Sequence, residues 1–327
     1  MKKYAAYTNR KAHAARKAFN MISILMAAYN GEKYIEEQID SLLKQSVNDF
    51  TLWVQDDCST DGTWGILETY KNRFPGKINL MRNKSNMGAK NNFLHMMANI
   101  KDDYVMLCDQ DDVWLPGKIE VTLAKMKELE KSYTNKTPLL VHTDLTVADK
   151  NLSPLHRSYR KATKRNYNRM DYRHIVTMNN VSGCTAMYNR PLAELVNAIP
   201  GFCVMHDFWL QMVAATFGRI GHINDATMLY RQHGANALGA KNVNSIGYKL
   251  NRLVNNKDVT EAIHSTYPQA QSMLDVYGDR ISPEKKDFLS KYAAIPAKSK
   301  LGRWLAIVRL RVFMNGFSRN VAYFLFV

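Results

Sequence analysis

The sequence predicts an α/β fold: a mostly parallel central sheet with helices on both faces, followed by a helical C-terminal extension. Three observations predict it. Between residues 22 and 149, apolar runs of strand length alternate with segments whose apolar residues recur at helical spacing, the order that builds a parallel sheet covered on both faces. Three of the apolar runs end in polar, turn-rich segments, and ligands of such sheets bind beyond the carboxyl ends of the strands. Past about residue 243 the pattern is helical, with Pro268 and Pro296 as breaks.

Each element has its own signal. Ile22–Ala28 is a continuous apolar run, the mark of a strand buried on both faces. Glu32–Gln45 places Ile35, Ile39, Leu42 and Leu43 on one helical stripe. Phe50–Gln55 reads as the second strand, Thr63–Phe74 as the second helix, Ile78–Met81 as a short strand and Ala89–Ile100 as a helix. Tyr104–Cys108 is the next strand, Val113–Pro116 opens a helix-like segment, and Lys118–Lys131 is the next helix. Leu139–Val147 reads as a strand pair, Gly183–Asn189 as a strand and His206–Phe217 as a helix. Arg219–His222 and Thr227–Arg231 read as a closing hairpin. Residues 151–170 are irregular, basic and rich in tyrosine.

Composition narrows the function classes. The 327 residues carry a formal charge of +16, and 46% are hydrophobic, enough for a real core. The charge is concentrated: residues 1–20 hold six Lys/Arg and no acid, and so do residues 297–327. Residues 157–173 hold seven (Arg157, Arg160, Lys161, Lys164, Arg165, Arg169 and Arg173) against Asp171 alone. Cationic ends and a cationic insert suit an anionic partner surface. The four cysteines are scattered with no CxxC pair, which argues against zinc and a disulfide framework and fits a reducing compartment. The basic N-terminus lacks the apolar core of a secretory signal, and no apolar window is long enough for a membrane span.

The chemistry lies in the acids. Asp109-Gln110-Asp111-Asp112 follows the buried run Tyr104–Cys108. Carboxylates crowded at the end of a buried strand repel one another and resist desolvation. Mg²⁺ or Mn²⁺, hard cations with oxygen ligands, relieve both penalties and leave positions open for a diphosphate. The bland alternative is a polar loop capping the next helix. Asp56-Asp57 end another strand, where a carboxylate can bond a base N–H or ribose hydroxyl, while Ser59, Thr60 or Asp61 caps the following helix. Asp207, at the start of the helix running to Phe217, can act as a general base or simply favour the helix dipole. His142 and Asp144 are weaker candidates for the cleft, as are Asn180 and Ser182 for an acceptor loop.

Taken in order, Met26–Gly31, Asp56–Thr63, Asn86-Met-Gly88 and Cys108–Trp114 resemble a family 2 inverting glycosyltransferase of GT-A fold. Asn179–Cys184, Met205–Trp209 and Tyr230–Gly234 resemble its rhamnosyltransferase-like branch. The resemblance covers roughly residues 21–236, with a nucleotide-sugar half over 21–112 and an acceptor half over 113–236. It implies that Tyr29 and Glu32 lie beside the nucleotide and Asp57 binds its base. Asp111 is then a metal ligand, Asp109 lies near ribose or metal, and Asp112 shares the metal. Arg231 and His233 approach the diphosphate, His233 within reach of the metal, and Asp207 takes the proton from the acceptor hydroxyl.

Two residues depart from the family pattern. Cys58 stands where many relatives carry Gly, so the turn is expected to differ locally. His206 stands where an acid often precedes the base; a charged imidazolium there would stabilise the Asp207 carboxylate and a neutral one would not.

The implied activity is metal-dependent, inverting transfer from a nucleoside diphosphate sugar, with dTDP-L-rhamnose as the donor the branch suggests, to a glycan or lipid-linked acceptor in cell-surface polysaccharide synthesis. The expected location is the cytoplasmic face of a membrane. Residues 300–327 mix Leu301, Trp304, Leu305, Val308, Phe313, Phe317, Tyr323, Phe324 and Phe326 with Arg303, Arg309, Arg311 and Arg319, a composition for an amphipathic helix in a membrane interface with an anionic surface. The alternatives are a helix packed on the domain, a catalytically inactive scaffold, or a nucleic-acid-binding protein driven by charge. The acidic rim repels nucleic-acid phosphate, and no helix-turn-helix, RNP or zinc pattern occurs.

Overall fold

The computed structural model describes residues 21–233 and 256–327. The basic segment 1–20 and the start of the C-terminal region, 237–255, lie outside the described residues. Strand β1 (Ile22–Ala28) runs parallel to β2 (Phe50–Asp56) on one side and to β4 (Tyr104–Asp109) on the other, with β3 (Ile78–Arg82) outside β2. The register sets Ala28 opposite Asp56 and Ala27 opposite Asp109. Three strands therefore stop level, and their turns leave from one rim. Beyond β4 the sheet becomes mixed. Strand β8 (Ala186–Asn189) is antiparallel to both β4 and β6 (Leu139–Ala148), β6 is parallel to β9 (Arg219–Arg231), and β5 (Val113–Trp114) closes the edge against β9. The short β7 (Pro154–His156) pairs with β6.

Helices cover both faces, and the two cores divide them. Against Ile24, Met26 and Val54 pack α1 (Ile35–Leu43), α2 (Thr63–Arg73) and α4 (Lys118–Tyr133), through Ile39, Leu67 and Met126. Against Leu25, Val105 and Leu107 pack α3 (Gly88–Asn99), α7 (Arg190–Leu195) and α8 (His206–Phe217), through Phe93, Leu192 and Trp209. Adjacent residues of β1 thus feed opposite cores, which is why the run is apolar without alternation. Two short helices, α5 (Tyr159–Thr163) and α6 (Tyr172–Ile175), lie in the basic insert.

The C-terminal helices α9 (Asn256–His264), α10 (Thr266–Tyr277), α11 (Pro283–Ala293), α12 (Lys300–Leu310) and α13 (Phe317–Phe326) extend the second core. Tyr277 stacks on Trp209 at 5.9 Å, and its hydroxyl donates to the Leu195 carbonyl at 2.7 Å. One side of α12 and α13 thus packs on the domain. Leu301, Trp304, Leu305 and Val308 of α12, and Phe317, Val321 and Leu325 of α13, remain exposed. Among the described residues no helix is long and apolar enough to cross a membrane.

Three expectations need correction. Leu139–Val147 is not a strand pair but part of one buried ten-residue strand. The closing hairpin is a single strand, β9: the pairing steps from His142–His222 to Asp144–Ala226, so the polar Asn224-Asp225 stretch is absorbed as a bulge rather than a turn. Val113–Trp114 is extended and pairs with Leu229 and Met228, because Pro116 disfavours helix before it and α4 begins only at Lys118.

Candidate active site

The rim where β1, β2 and β4 end opens into a cleft of about 440 Å³. Tyr29, Asp57, Asp109, Asp111 and Asp207 line it. Glu32, Asp112, Arg231 and His233 lie outside the lining, each held by a contact that defines its place.

Asp57 leaves β2 with its N–H donating to the Ala28 carbonyl at 2.7 Å. Its carboxylate accepts from Asn83 Nδ2 (2.6 Å) and from the Met87 and Gly88 amides (2.9 and 2.8 Å). It therefore sits on the amides that open α3, where a negative charge is favoured. The turn after it stays left-handed, with Cys58 at φ +65°, so the cysteine does not abolish the conformation glycine would favour. Ser59 N–H donating to Asp56 at 3.1 Å and the Arg82–Asp56 ion pair at 3.1 Å hold the turn. Asp61 caps α2 through the Thr63 amide at 3.0 Å.

The β1 turn is tied to the acidic turn by Gln110. Its Oε1 accepts from Tyr29 N–H at 2.9 Å, and its Nε2 donates to the Tyr29 carbonyl at 2.8 Å. A Cβ on Gly31 would stand 2.2 Å from Gln110 Oε1, so any side chain there would displace the Gln110 amide from its bonds to Tyr29. Glu32 clamps the third turn by accepting Gly62 N–H at 2.7 Å.

The acids at the end of β4 are crowded. Burial, then the Asp111 and Asp207 charges, push Asp109 up to about 7, so the carboxylate from α8 is close enough to act on the one from β4. Asp112 is fully buried. Its Oδ1 accepts Arg231 N–H at 3.2 Å, and its Oδ2 has no hydrogen-bond partner. Burial and the neighbouring Asp111 and Asp109 raise its carboxyl well above the usual range. Asp109, Asp112 and Cys184 offer atoms within 4.8 Å of one another. An orphaned carboxylate oxygen beside mutually repelling acids is what a divalent cation relieves, and the Asp oxygens suit Mg²⁺ or Mn²⁺. The Cys184 thiol is a poor ligand for such a cation: burial and the Asp112 and Asp109 charges raise it well above 9.0 and keep it protonated.

Arg231 and His233 brace this turn from behind. The Arg231 guanidinium donates to the carbonyls of Asp111 and Lys150 (both 2.9 Å) and pairs with Glu37 at 2.5 Å. His233 Nε2 lies 2.8 Å from Asp111 Oδ2, and its ring stacks on Tyr34 at 4.7 Å.

On the opposite wall, Asp207 opens α8. Its Oδ1 accepts Phe208 N–H at 2.7 Å and its Oδ2 accepts Gly183 N–H at 3.1 Å. A Cβ on Gly183 would meet His206 Nε2 at 2.9 Å and Asp207 Cβ at 3.3 Å. His206 is buried, stacks on Phe93 at 4.1 Å and has no hydrogen-bond partner on either ring nitrogen. Burial lowers its pKa against the pull of Asp207, so it stands neutral beside the carboxylate. Ser182 lines the cleft, whereas Asn180 is buried and bonds Asn315 at 3.2 Å. His142 and Asp144 do not line it. Asp144 instead anchors the basic insert by accepting from Ser158 Oγ (2.5 Å) and Arg160 N–H (3.1 Å).

Sequence reasoning did not single out Gln110, Lys118 or Arg165. Gln110 carried a signal in its place between two acids. Lys118 is fully buried beneath the acidic turn, its Nζ 4.6 Å over the Trp114 ring and 3.4 Å from Thr227 Oγ1. Burial lowers it to about 8, against the pull of the neighbouring Asp112. Nothing local marks it apart from a surface lysine at a helix start. Arg165 lines the cleft from the basic insert, where it was one cation among seven.

Comparison with known proteins agrees with this geometry. A family model described as "Glycosyl transferase family 2" matches residues 23–196. The chain is 30% identical over 248 residues to the dTDP-rhamnosyl transferase RfbG of Shigella flexneri, covering 71% of this chain and 80% of that one. Its fold matches S. aureus TarS 1-349 in complex with UDP-GlcNAc at a TM-score of 0.55 and 17% identity, over 93% of this chain and 89% of that one. It also matches the mannosyltransferase PcManGT from Pyrobaculum calidifontis in complex with GDP-Man and Mn2+ at 0.52 and 15%, over 89% and 79%. With the level strand ends, the acid-lined cleft and a family match over more than half its length, the chain belongs to glycosyl transferase family 2 and is a glycosyltransferase.

Proposed function

We propose that this enzyme is a metal-dependent, inverting transferase that moves a sugar, L-rhamnose from dTDP-L-rhamnose, to a glycan or lipid-linked acceptor in cell-surface polysaccharide synthesis. The observation that carries the reading is the meeting of Asp57, Asp109, Asp111 and Asp207 at one cleft, although 150 positions separate the first from the last. Asp57 and Tyr29 take the nucleotide, with Gln110 fixing the turn that carries Tyr29. Asp109 and Asp111, backed by Asp112 and His233, hold Mg²⁺ or Mn²⁺, which neutralises charge on the departing diphosphate. Arg231 and Glu32 keep the turns in register. Asp207 faces the acceptor and takes its hydroxyl proton, a role typically worth ~10²–10⁴-fold. Its Oδ2, bonded to the Gly183 amide, is oriented before the substrate arrives. Transfer is a single displacement at the anomeric carbon, with no covalent enzyme intermediate.

The choice of dTDP-L-rhamnose is supported by similarity to the Shigella relative, a dTDP-rhamnosyl transferase. The cytoplasmic face of a membrane is the proposed location. In support, Leu301 is 65% and Phe317 85% exposed, on helices whose segment carries six cations and no acid. A donor screen tests the function: nucleoside diphosphate release is measured across dTDP-, UDP- and GDP-sugars with Mn²⁺ or Mg²⁺. Release from dTDP-rhamnose above the others supports the donor. Release from none of them overturns the function.

A further inference from the structure

The cleft is lined by four aspartates, yet among the described residues one Arg or Lys lines it, Arg165. Its environment is that of a receptor for an anion. The Arg165 Nη1 lies 3.4 Å from Ser182 Oγ, its Nη2 lies 3.3 Å from Tyr159 OH, and its Cζ stands 4.7 Å over the Tyr159 ring. Both hydrogen-bond partners are neutral and both contacts are long, which leaves most of a five-donor fork unspent. The side chain is nonetheless set on a fixed support. Arg165 N–H donates to the Arg160 carbonyl at 3.0 Å, and Arg160 N–H donates in turn to buried Asp144 at 3.1 Å.

Position selects the anion's owner. Ser182 precedes Gly183, whose amide bonds Asp207 at 3.1 Å, so Arg165 stands on the wall of the proposed base. In a direct displacement the leaving diphosphate departs toward Asp109 and Asp111, and the acceptor enters on the base side. The insert also adjoins the C-terminal helices: Arg319 of α13 donates to the Thr163 carbonyl at 2.6 Å, on the helix that exposes Phe317. An acceptor held in a membrane by its lipid would present its linking phosphates between that apolar face and the cleft.

Resting on the function proposed above, we propose that Arg165 is an acceptor-side phosphate receptor, which selects an acceptor sugar carried on a lipid diphosphate. Tyr159 and Ser182 position the guanidinium. The remaining cations of the insert supply a field that draws the doubly charged group inward.

The test uses farnesyl diphosphate as the probe and the full chain with its nucleotide site filled by dTDP and Mn²⁺. Calorimetry measures dTDP affinity first, then farnesyl diphosphate affinity, for wild type, Arg165→Gln and Arg165→Lys. The expected result is saturable one-to-one binding of the probe to wild type, weakened about 10- to 100-fold in Arg165→Gln, as for loss of one charged hydrogen-bonding partner. Partial retention is expected in Arg165→Lys, with dTDP affinity within twofold throughout. Equal probe affinity in all three proteins overturns the proposal, as does a loss of dTDP affinity in its place, which would assign Arg165 to the donor. Should Arg165→Gln fail to fold, the lysine variant decides by the same criterion, because it keeps the charge and removes the fork. Absence of dTDP binding to wild type would instead strike the proposed function, so the two failures are distinct.

Discussion

Gly183→Ala is the perturbation that tests most sharply how closely the cleft is built. The added methyl would lie 2.9 Å from His206 Nε2 and 3.3 Å from Asp207 Cβ. Packing holds both neighbours on the side away from the cleft. His206 is wedged against Phe93 at 4.1 Å, and Asp207 begins a helix whose next residues, Trp209 and Leu210, are fully buried. The left-handed region is not involved at Gly183, so the glycine is there for proximity alone. Relief requires the α8 start to retreat by several tenths of an ångström, and overpacking of this kind costs about 1–3 kcal/mol. A displacement approaching 1 Å at a reacting group can cost ~10²-fold. The expected outcome in a coupled nucleoside diphosphate release assay is a 10- to 100-fold fall in kcat, with donor KM within about threefold because Asp57, Asp109 and Asp111 lie on other strands. A folded Gly183→Ala enzyme with wild-type kcat would refute the reasoning, since Asp207 would then tolerate displacement.

Other outcomes follow from individual residues. Cys58→Val places a β-branched side chain at φ +65° and should destabilise by about 1–3 kcal/mol in denaturant unfolding, whereas Cys58→Gly should stay within about 1 kcal/mol of wild type. Asp109, raised to about 7, holds a proton in the folded state from roughly pH 4 to 7 that the unfolded chain has released. Its contribution to stability is therefore present at low pH and lost as pH rises through 7. With EDTA, Tm should fall between pH 5 and 8 and the fall should flatten in Asp109→Asn. Added Mn²⁺ should raise Tm more at pH 8 than at pH 5.5, because the metal requires the carboxylate form. Acid placed in the exposed apolar stripe, Leu305→Glu with Val308→Glu, should abolish co-sedimentation with vesicles rich in anionic lipid while far-UV dichroism is kept.

The parallel half of the sheet was legible because its signals are local. A strand buried on both faces reads as an unbroken apolar run, and Ile22–Ala28 and Tyr104–Cys108 did so. The acids that follow Phe50–Gln55 and Tyr104–Cys108 marked Asp57, Asp109 and Asp111, which line the cleft. The mixed half of the sheet was less legible because its features are set by distant pairing. The bulge at Asn224-Asp225 exists only because β9 must stay on β6, and no local residue pattern distinguishes it from a turn. Arg231 shows the same limit. Its type suited a diphosphate, but Glu37, Lys150 and Asp111 converge on it from three segments and spend the guanidinium on bracing. Gly183 and Gly31 lie against side chains 23 and 79 positions away, His206 and Gln110, and proximity of that kind leaves no trace in a local window.

The most direct measurement is transfer by Asp207→Asn, an isosteric change that keeps one oxygen to accept from either the Gly183 or the Phe208 amide and removes the charge that can take a proton. The expected result is dTDP binding in the presence of Mn²⁺ at wild-type affinity, with sugar transfer lowered by ~10²–10⁴-fold. Turnover within a few fold of wild type, by a variant that binds nucleotide normally, would contradict the assignment of Asp207 as the base.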